Sequence, residues 1–179
     1  MKLKSYGNVE IVNYPFHEDL KAETENFFKG DIDKQRRTTN VKASMTEWMW
    51  GDDFPQVRKL KKFIISKCFE HFSQYYVAVQ ATSTTGFRLH DFWANVYRKG
   101  DYTRTHSHLP YRVSCVYFYT GEFGQSPLLF NDSKKLIFPK EGRLVFFESH
   151  LLHCVPRQLL TDKPRITFSG NLALESDNK

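Results

Sequence analysis

The chain is expected to fold as a mostly β protein with helices on its N-terminal side. Two observations point there. From Tyr76 onward the sequence breaks into short β-rich runs, among them "FRLHDFWANVYRKG", "RVSCVYFYTG", "GRLVFFES" and "RITFSGNLAL", separated by Gly, Pro, Asn, Asp and Ser. Seven or eight such runs with no helix between them describe an antiparallel sandwich or barrel. Before that point the apolar spacing is helical. Val57, Leu60, Phe63, Ile64, Cys68, Phe69 and Phe72 share one face, with Arg58, Lys59, Lys61, Lys62 and Lys67 on the other.

The remaining elements follow in order. "NVEIVNYPF" (8–16) alternates and stops at a proline, as a strand does. "HEDLKAETENFFKG" (17–30) has early acids and a closing Lys-Gly, the charge order that a helix dipole and C-cap favour. Residues 31–45 are polar and aperiodic, which predicts a loop. "TEWMWGDDFP" (46–55) is aromatic and turn-rich, and its tryptophans read as core. "YVAVQATS", from Tyr76, reads as the first strand of the β region, and 175–179 as a loose tail. The chain is expected to be one domain over 1–179, with 1–75 supplying helical support and loops and 76–174 the β core.

Composition narrows the function classes. The 179 residues are 40% hydrophobic and include 16 Phe, enough for a core without outside help. No run approaches the ~20 apolar residues of a membrane span, and the start lacks the apolar segment of a secretory signal. Three widely spaced cysteines (Cys68, Cys115, Cys154) suggest reduced thiols and a cytoplasmic location. The net charge of +6 leaves nucleic acid, anionic metabolites and acidic proteins open as partners.

The chemistry lies in the histidines. His17 and His71 sit on predicted helices and read as surface residues. In "THSHLPYRVSCVYFY" (105–119), His106 and His108 are two apart, and on a strand that places them on one face, roughly 6.5–7 Å apart. A third ligand from a neighbouring strand would complete a metal site with open positions, and His153 in "ESHLLHCVP" is the best placed. In the His150–His153 pair, one ring is expected to face away. On spacing alone the histidines read equally as polar residues at strand ends. Arg165 opens the apolar run "RITFSGN". A buried guanidinium needs a carboxylate, either internal or from a ligand. Thr167 falls on the same face of that strand.

Four segments in order, "FWANVYRKGDYTRTHSH", "RVSCVYFYTG", "FPKEGRLVFFESHLLHCVP" and "KPRITFSGNL", resemble the iron(II)- and 2-oxoglutarate-dependent oxygenases. The likeness covers about residues 90–173. It is closest to the prolyl-hydroxylase-like branch, and within it to small oxygenases of phages and marine bacteria. The resemblance implies a double-stranded β-helix (jelly-roll, cupin-like) core holding Fe(II), with 2-oxoglutarate and O2 as cosubstrates. It implies His106 and His153 as metal ligands and Arg165, with Thr167, as the anchor for the far carboxylate of 2-oxoglutarate. Tyr97 and Asn95 would line the cosubstrate pocket.

Two positions depart from the family pattern. His108 stands where an Asp or Glu is usual, so either His108 ligates or an acid such as Asp101 or Asp132 substitutes. Phe118 stands where a tyrosine is common, and Tyr117 or Tyr119 could replace it only in a different register. Tyr117 is counted among the expected cosubstrate contacts on that basis.

The implied activity is hydroxylation of a C–H bond with release of succinate and CO2, on a protein or peptide side chain or a small molecule. Loop 31–45 and the 46–54 segment are the expected carriers of specificity. The competing readings are a three-histidine zinc hydrolase and a non-catalytic cupin-like binding module.

Overall fold

A computed structural model describes residues 8–30, 39–80 and 84–176. The elements run β1 (Val9–Asn13), α1 (His17–Lys29), β2 (Val41–Lys42), β3 (Ser44–Met45), α2 (Pro55–Gln80), β4 (Thr84–Tyr97), β5 (Tyr102–His106), β6 (Val113–Phe118), β7 (Leu128–Phe130), β8 (Leu136–Ile137), β9 (Arg143–Glu148), β10 (His153–Val155) and β11 (Arg165–Ser176). The strands form two antiparallel sheets: a major one ordered β1-β9-β6-β11-β4-β3 and a minor one ordered β2-β5-β10-β7-β8.

Strand alternation divides the major sheet's side chains between two interiors. Phe92, Ala94, Val96, Cys115, Tyr117, Leu144, Phe146, Ile166 and Phe168 face α1 and α2, packing on Leu20, Val57, Leu60, Ile64 and Phe72. The intervening residues face the minor sheet. Val116, Phe118, Val145 and Phe147 pack on Leu128, Phe130 and Ile137. Trp93 and Tyr97 pack with Val41, Met45 and Val155. The candidate site lies on this second side, between the sheets.

The structure departs from the sequence expectations in several places. Tyr76–Gln80, expected as strand, continue α2. Extending an existing helix fixes one residue per hydrogen bond gained, so the valines do not have to meet the cost of nucleation. Residues 31–38 of the expected loop and 81–83 of the expected strand lie outside the described residues. Within 39–45 the chain forms β2 and β3, which pair with β5 and β4. Open strand edges recruited this polar segment, which has no period of its own.

Glu175 and Ser176 belong to β11 instead of a tail, and 177–179 lie outside the described residues. The basic side of α2 is not wholly solvated. Lys61 is buried, and its ammonium pairs with Asp52 at 2.6 Å. Trp50 and Trp93 are core, but Trp48 is exposed. Among the described residues, no helix is long and apolar enough to cross a membrane.

Candidate functional site

His106 ends β5 and His153 begins β10, and the two are direct partners across the ladder. His108 lies beyond the end of β5, in a turn held by its own N–H donating to the Ser149 carbonyl at 2.8 Å. The three rings converge. Centroid separations are 4.8 Å (His106–His108), 4.4 Å (His106–His153) and 5.0 Å (His108–His153). One ligand nitrogen from each falls within 4.8 Å of the others. The first two rings therefore meet more closely than side chains two apart on a straight strand, because the turn folds His108 inward.

Hydrogen bonds set the tautomers. His106 Nδ1 lies 2.8 Å from the Arg104 carbonyl and His153 Nδ1 lies 2.8 Å from the Leu151 carbonyl. A carbonyl only accepts, so Nδ1 carries the proton in both rings and the Nε2 lone pair is left for a metal.

The rings are also kept neutral. Burial, then the neighbouring His153 and His106, hold His108 down to about 2. Burial holds His153 down to about 3 and lowers His106 as well. An unfolded chain protonates these rings below about pH 6.5. In the folded protein His108 and His153 resist protonation until far lower pH, and His106 is shifted in the same direction. Protons therefore favour unfolding: the stability is whole above pH 6.5 and declines as pH falls toward 3. Metal-free protein should melt at a lower temperature at pH 5 than at pH 7.5, and His108→Gln should make that dependence shallower in thermal scans.

No carboxylate joins this group among the described residues. The Asp101 carboxylate accepts from the Arg98 N–H at 2.8 Å in the turn after β4, and Asp132 is exposed. Neither is brought to the histidines. His150 is exposed, as expected for one member of its pair.

Arg165 lines the same cavity as the three histidines. The residue is 1% exposed. Its guanidinium lies over the rings of Tyr97 (4.8 Å) and Phe118 (5.3 Å), and Nε donates to the Ser126 carbonyl at 2.8 Å. Nη1 and Nη2 are buried and make no hydrogen bond of normal geometry. The nearby Tyr97 phenol is engaged with Thr103 Oγ1 at 2.7 Å. Burial lowers Arg165 to about 10, so it remains charged at neutral pH. A buried cation with two idle donors fits a bidentate carboxylate. Together with the Nε2 lone pairs of His106 and His153 and the converging ring of His108, it makes the cavity suitable for a metal and an anion that bridges from it.

Thr167 and Tyr97 line the cavity and are buried. Asn95 lines it too, but its amide is already used. It accepts from Trp93 Nε1 at 3.0 Å and donates to Ser169 Oγ at 3.1 Å.

Tyr117 does not reach the cavity. It sits on the helix-facing side of β6, where its hydroxyl bonds His17 Nδ1. Phe118 has the cavity side, and the alternation of β6 excludes both neighbours from it. His17, expected on the surface, is buried by this contact. Trp93, Thr103 and Ser169 also line the cavity and were not anticipated. The alternation of "FWANVY" carried the signal for Trp93, since Trp93, Asn95 and Tyr97 share a face.

No protein-family profile matches the chain, and no curated protein does. Solved structures do. A Pseudomonas putida prolyl-4-hydroxylase matches with a TM-score of 0.67 at 14% identity, covering 96% of this chain and 95% of the other. The viral collagen prolyl hydroxylase of Paramecium bursaria Chlorella virus-1, in its 2-oxoglutarate complex, matches with a TM-score of 0.63 at 15% identity, covering 96% and 98%. A Trichoplax adhaerens prolyl hydroxylase, bound to a peptide fragment of the hypoxia-inducible-factor oxygen degradation domain, matches at 0.62 and 17%, covering 94% and 84%. The chain shares the fold of these prolyl hydroxylases. In this chain the interior between the two sheets holds the histidine cluster and Arg165 together in one cavity.

Proposed function

We propose that the protein is an iron(II)- and 2-oxoglutarate-dependent oxygenase that hydroxylates a C–H bond, with its two sheets forming a double-stranded β-helix. The observation that carries this reading is Arg165, whose two uncommitted nitrogens share a cavity with three convergent, neutral imidazoles. His106, His108 and His153 would hold the iron. Arg165 would bind the far carboxylate of 2-oxoglutarate, beside Thr167. Bound iron and 2-oxoglutarate supply the oxidising chemistry, consuming O2, releasing succinate and CO2 and delivering one oxygen atom to the substrate. The protein's part is to fix the cosubstrate at both ends and exclude water from the apolar wall between them.

A protein or peptide side chain is the proposed substrate class. Leu109 and Leu152, each next to a histidine of the cluster, are exposed. So is Trp48, packed edge-on against cavity-lining Trp93 at 4.7 Å. This apolar rim suits a chain laid across the opening, and the Trichoplax neighbour is itself bound to a peptide. A zinc hydrolase would leave Arg165 without a role, and a non-catalytic module would bind 2-oxoglutarate without consuming it.

Incubation with Fe(II), ascorbate and 2-oxoglutarate, followed by NMR detection of succinate, tests the proposal. Metal-dependent succinate formation, stimulated by the correct peptide, is expected. Failure of the metal-loaded protein to bind 2-oxoglutarate would refute it.

A further inference from the structure

We propose that Gln158 is a positioning residue that aims the Arg165 guanidinium; this rests on the carboxylate-binding role given to Arg165 above. Gln158 lies in the irregular stretch between β10 and β11, yet it is wholly buried. A loop side chain buried to this degree must find protein partners for its amide, and these partners converge on Arg165. Gln158 Nε2 donates to the carbonyls of Tyr97 (3.3 Å) and Lys163 (3.0 Å), and Oε1 accepts from the Ser126 N–H (3.4 Å). Its backbone N–H donates to Asp101 at 2.9 Å, and its carbonyl accepts from Gly100 at 2.7 Å.

The three side-chain contacts bear on the guanidinium. The Ser126 carbonyl is the acceptor for Arg165 Nε. Tyr97 is the cross-strand partner of Arg165, and its ring lies beneath the guanidinium. Lys163 is two residues before Arg165 in the chain. A single Nε hydrogen bond leaves the fork direction to the placement of its acceptor, and the Gln158 amide sets that placement. The neighbouring Gln125 amide ties the same segment to the Pro164 carbonyl at 2.8 Å and to Thr120 Oγ1 at 3.1 Å, so Gln158 braces the wall from the inner side. On its outer side, the 121–127 and 156–160 segments border an open groove, where Phe123 and Leu160 stand almost fully in solvent.

Two variants test the proposal in Mn(II)-loaded protein. Gln158→Met keeps the volume and removes every side-chain hydrogen bond. Gln158→Glu keeps the shape and the acceptor but removes both donors. The probes are N-oxalylglycine, which has the far carboxylate, and oxalate, which lacks it. Both variants should bind N-oxalylglycine at least ~10-fold more weakly than wild type while holding oxalate and Mn(II) within about twofold, because the loss acts only through Arg165. Unchanged N-oxalylglycine binding would overturn the proposal. So would parallel loss of both probes, the mark of general damage to the fold. Wild-type protein that binds oxalate but not N-oxalylglycine would instead refute the role of Arg165, and with it the proposed function.

Discussion

Arg165→Met is expected to raise the melting temperature of the ligand-free protein while abolishing its response to 2-oxoglutarate. The wild-type guanidinium is held in the interior with Nη1 and Nη2 unsatisfied. An uncompensated buried charge costs several kcal/mol, and apolar replacement of buried charged groups is often stabilising. The methionine variant leaves the Ser126 carbonyl without its donor, a loss of about 1 kcal/mol. A net gain of about 2 kcal/mol corresponds to a rise of ~4–8 °C for a chain of this size. Thermal scans with Mn(II), with and without 2-oxoglutarate, give both readouts. Wild type should shift upward with the cosubstrate, as any ligand that binds only the folded state requires, and the variant should not. A variant less stable than wild type would mean that the guanidinium is compensated after all.

His153→Ala is expected to weaken Mn(II) or Co(II) binding by at least ~100-fold, beyond the range seen when only an outer partner of a metal ligand is lost. His153 is the ligand candidate most firmly set in the scaffold. It is 3% exposed, pairs with His106 on one side and Phe130 on the other, and its ring packs on Phe147 at 4.7 Å. Calorimetric titration measures the loss, and the absorption bands of Co(II) report the change in ligand set. His108→Asp is the informative companion. Three neutral imidazoles leave the full divalent charge in the cavity, and a carboxylate reduces it by one. Retained binding in this variant would mean that the position accepts either ligand type. Unaltered metal binding in His153→Ala would place the metal elsewhere.

The sequence was most informative where the determinants are local or strictly alternating. The spacing of His106, His108 and His153 left metal ligands and polar strand-end residues equally open, and the family resemblance pointed to the first; Arg165 stood out from the conflict between a guanidinium and an apolar strand. Tyr97 and Asn95 were expected from the resemblance alone, and Trp93, which was not anticipated, shares their face through the alternation of one run. What escaped depends on long-range pairing. Tyr117 and Phe118 are neighbours, and only the register of β6 between β9 and β11 decides which faces the cavity. The burial of His17 depends on that same choice, 100 residues away in the chain. β2 and β3 have no hydrophobic period and exist because β5 and β4 offer them edges. Gln158 sits in a stretch that reads as an ordinary surface loop, and only the folded chain brings three separate backbone segments to its amide.

The tautomers of the histidine cluster bear on how metal is exchanged. Most protein metal sites must shed protons before they load, so acidity and metal compete for the same atoms. Here the competition is largely over before any ion arrives. His106 and His153 have committed their single protons to backbone carbonyls, and His108 is too buried to take up a second one. An ion meeting His108 and His153 would expel no proton from them at neutral or mildly acidic pH. Occupancy of the cluster would then follow the supply of metal, and moderate acidification of the surroundings would leave it in place.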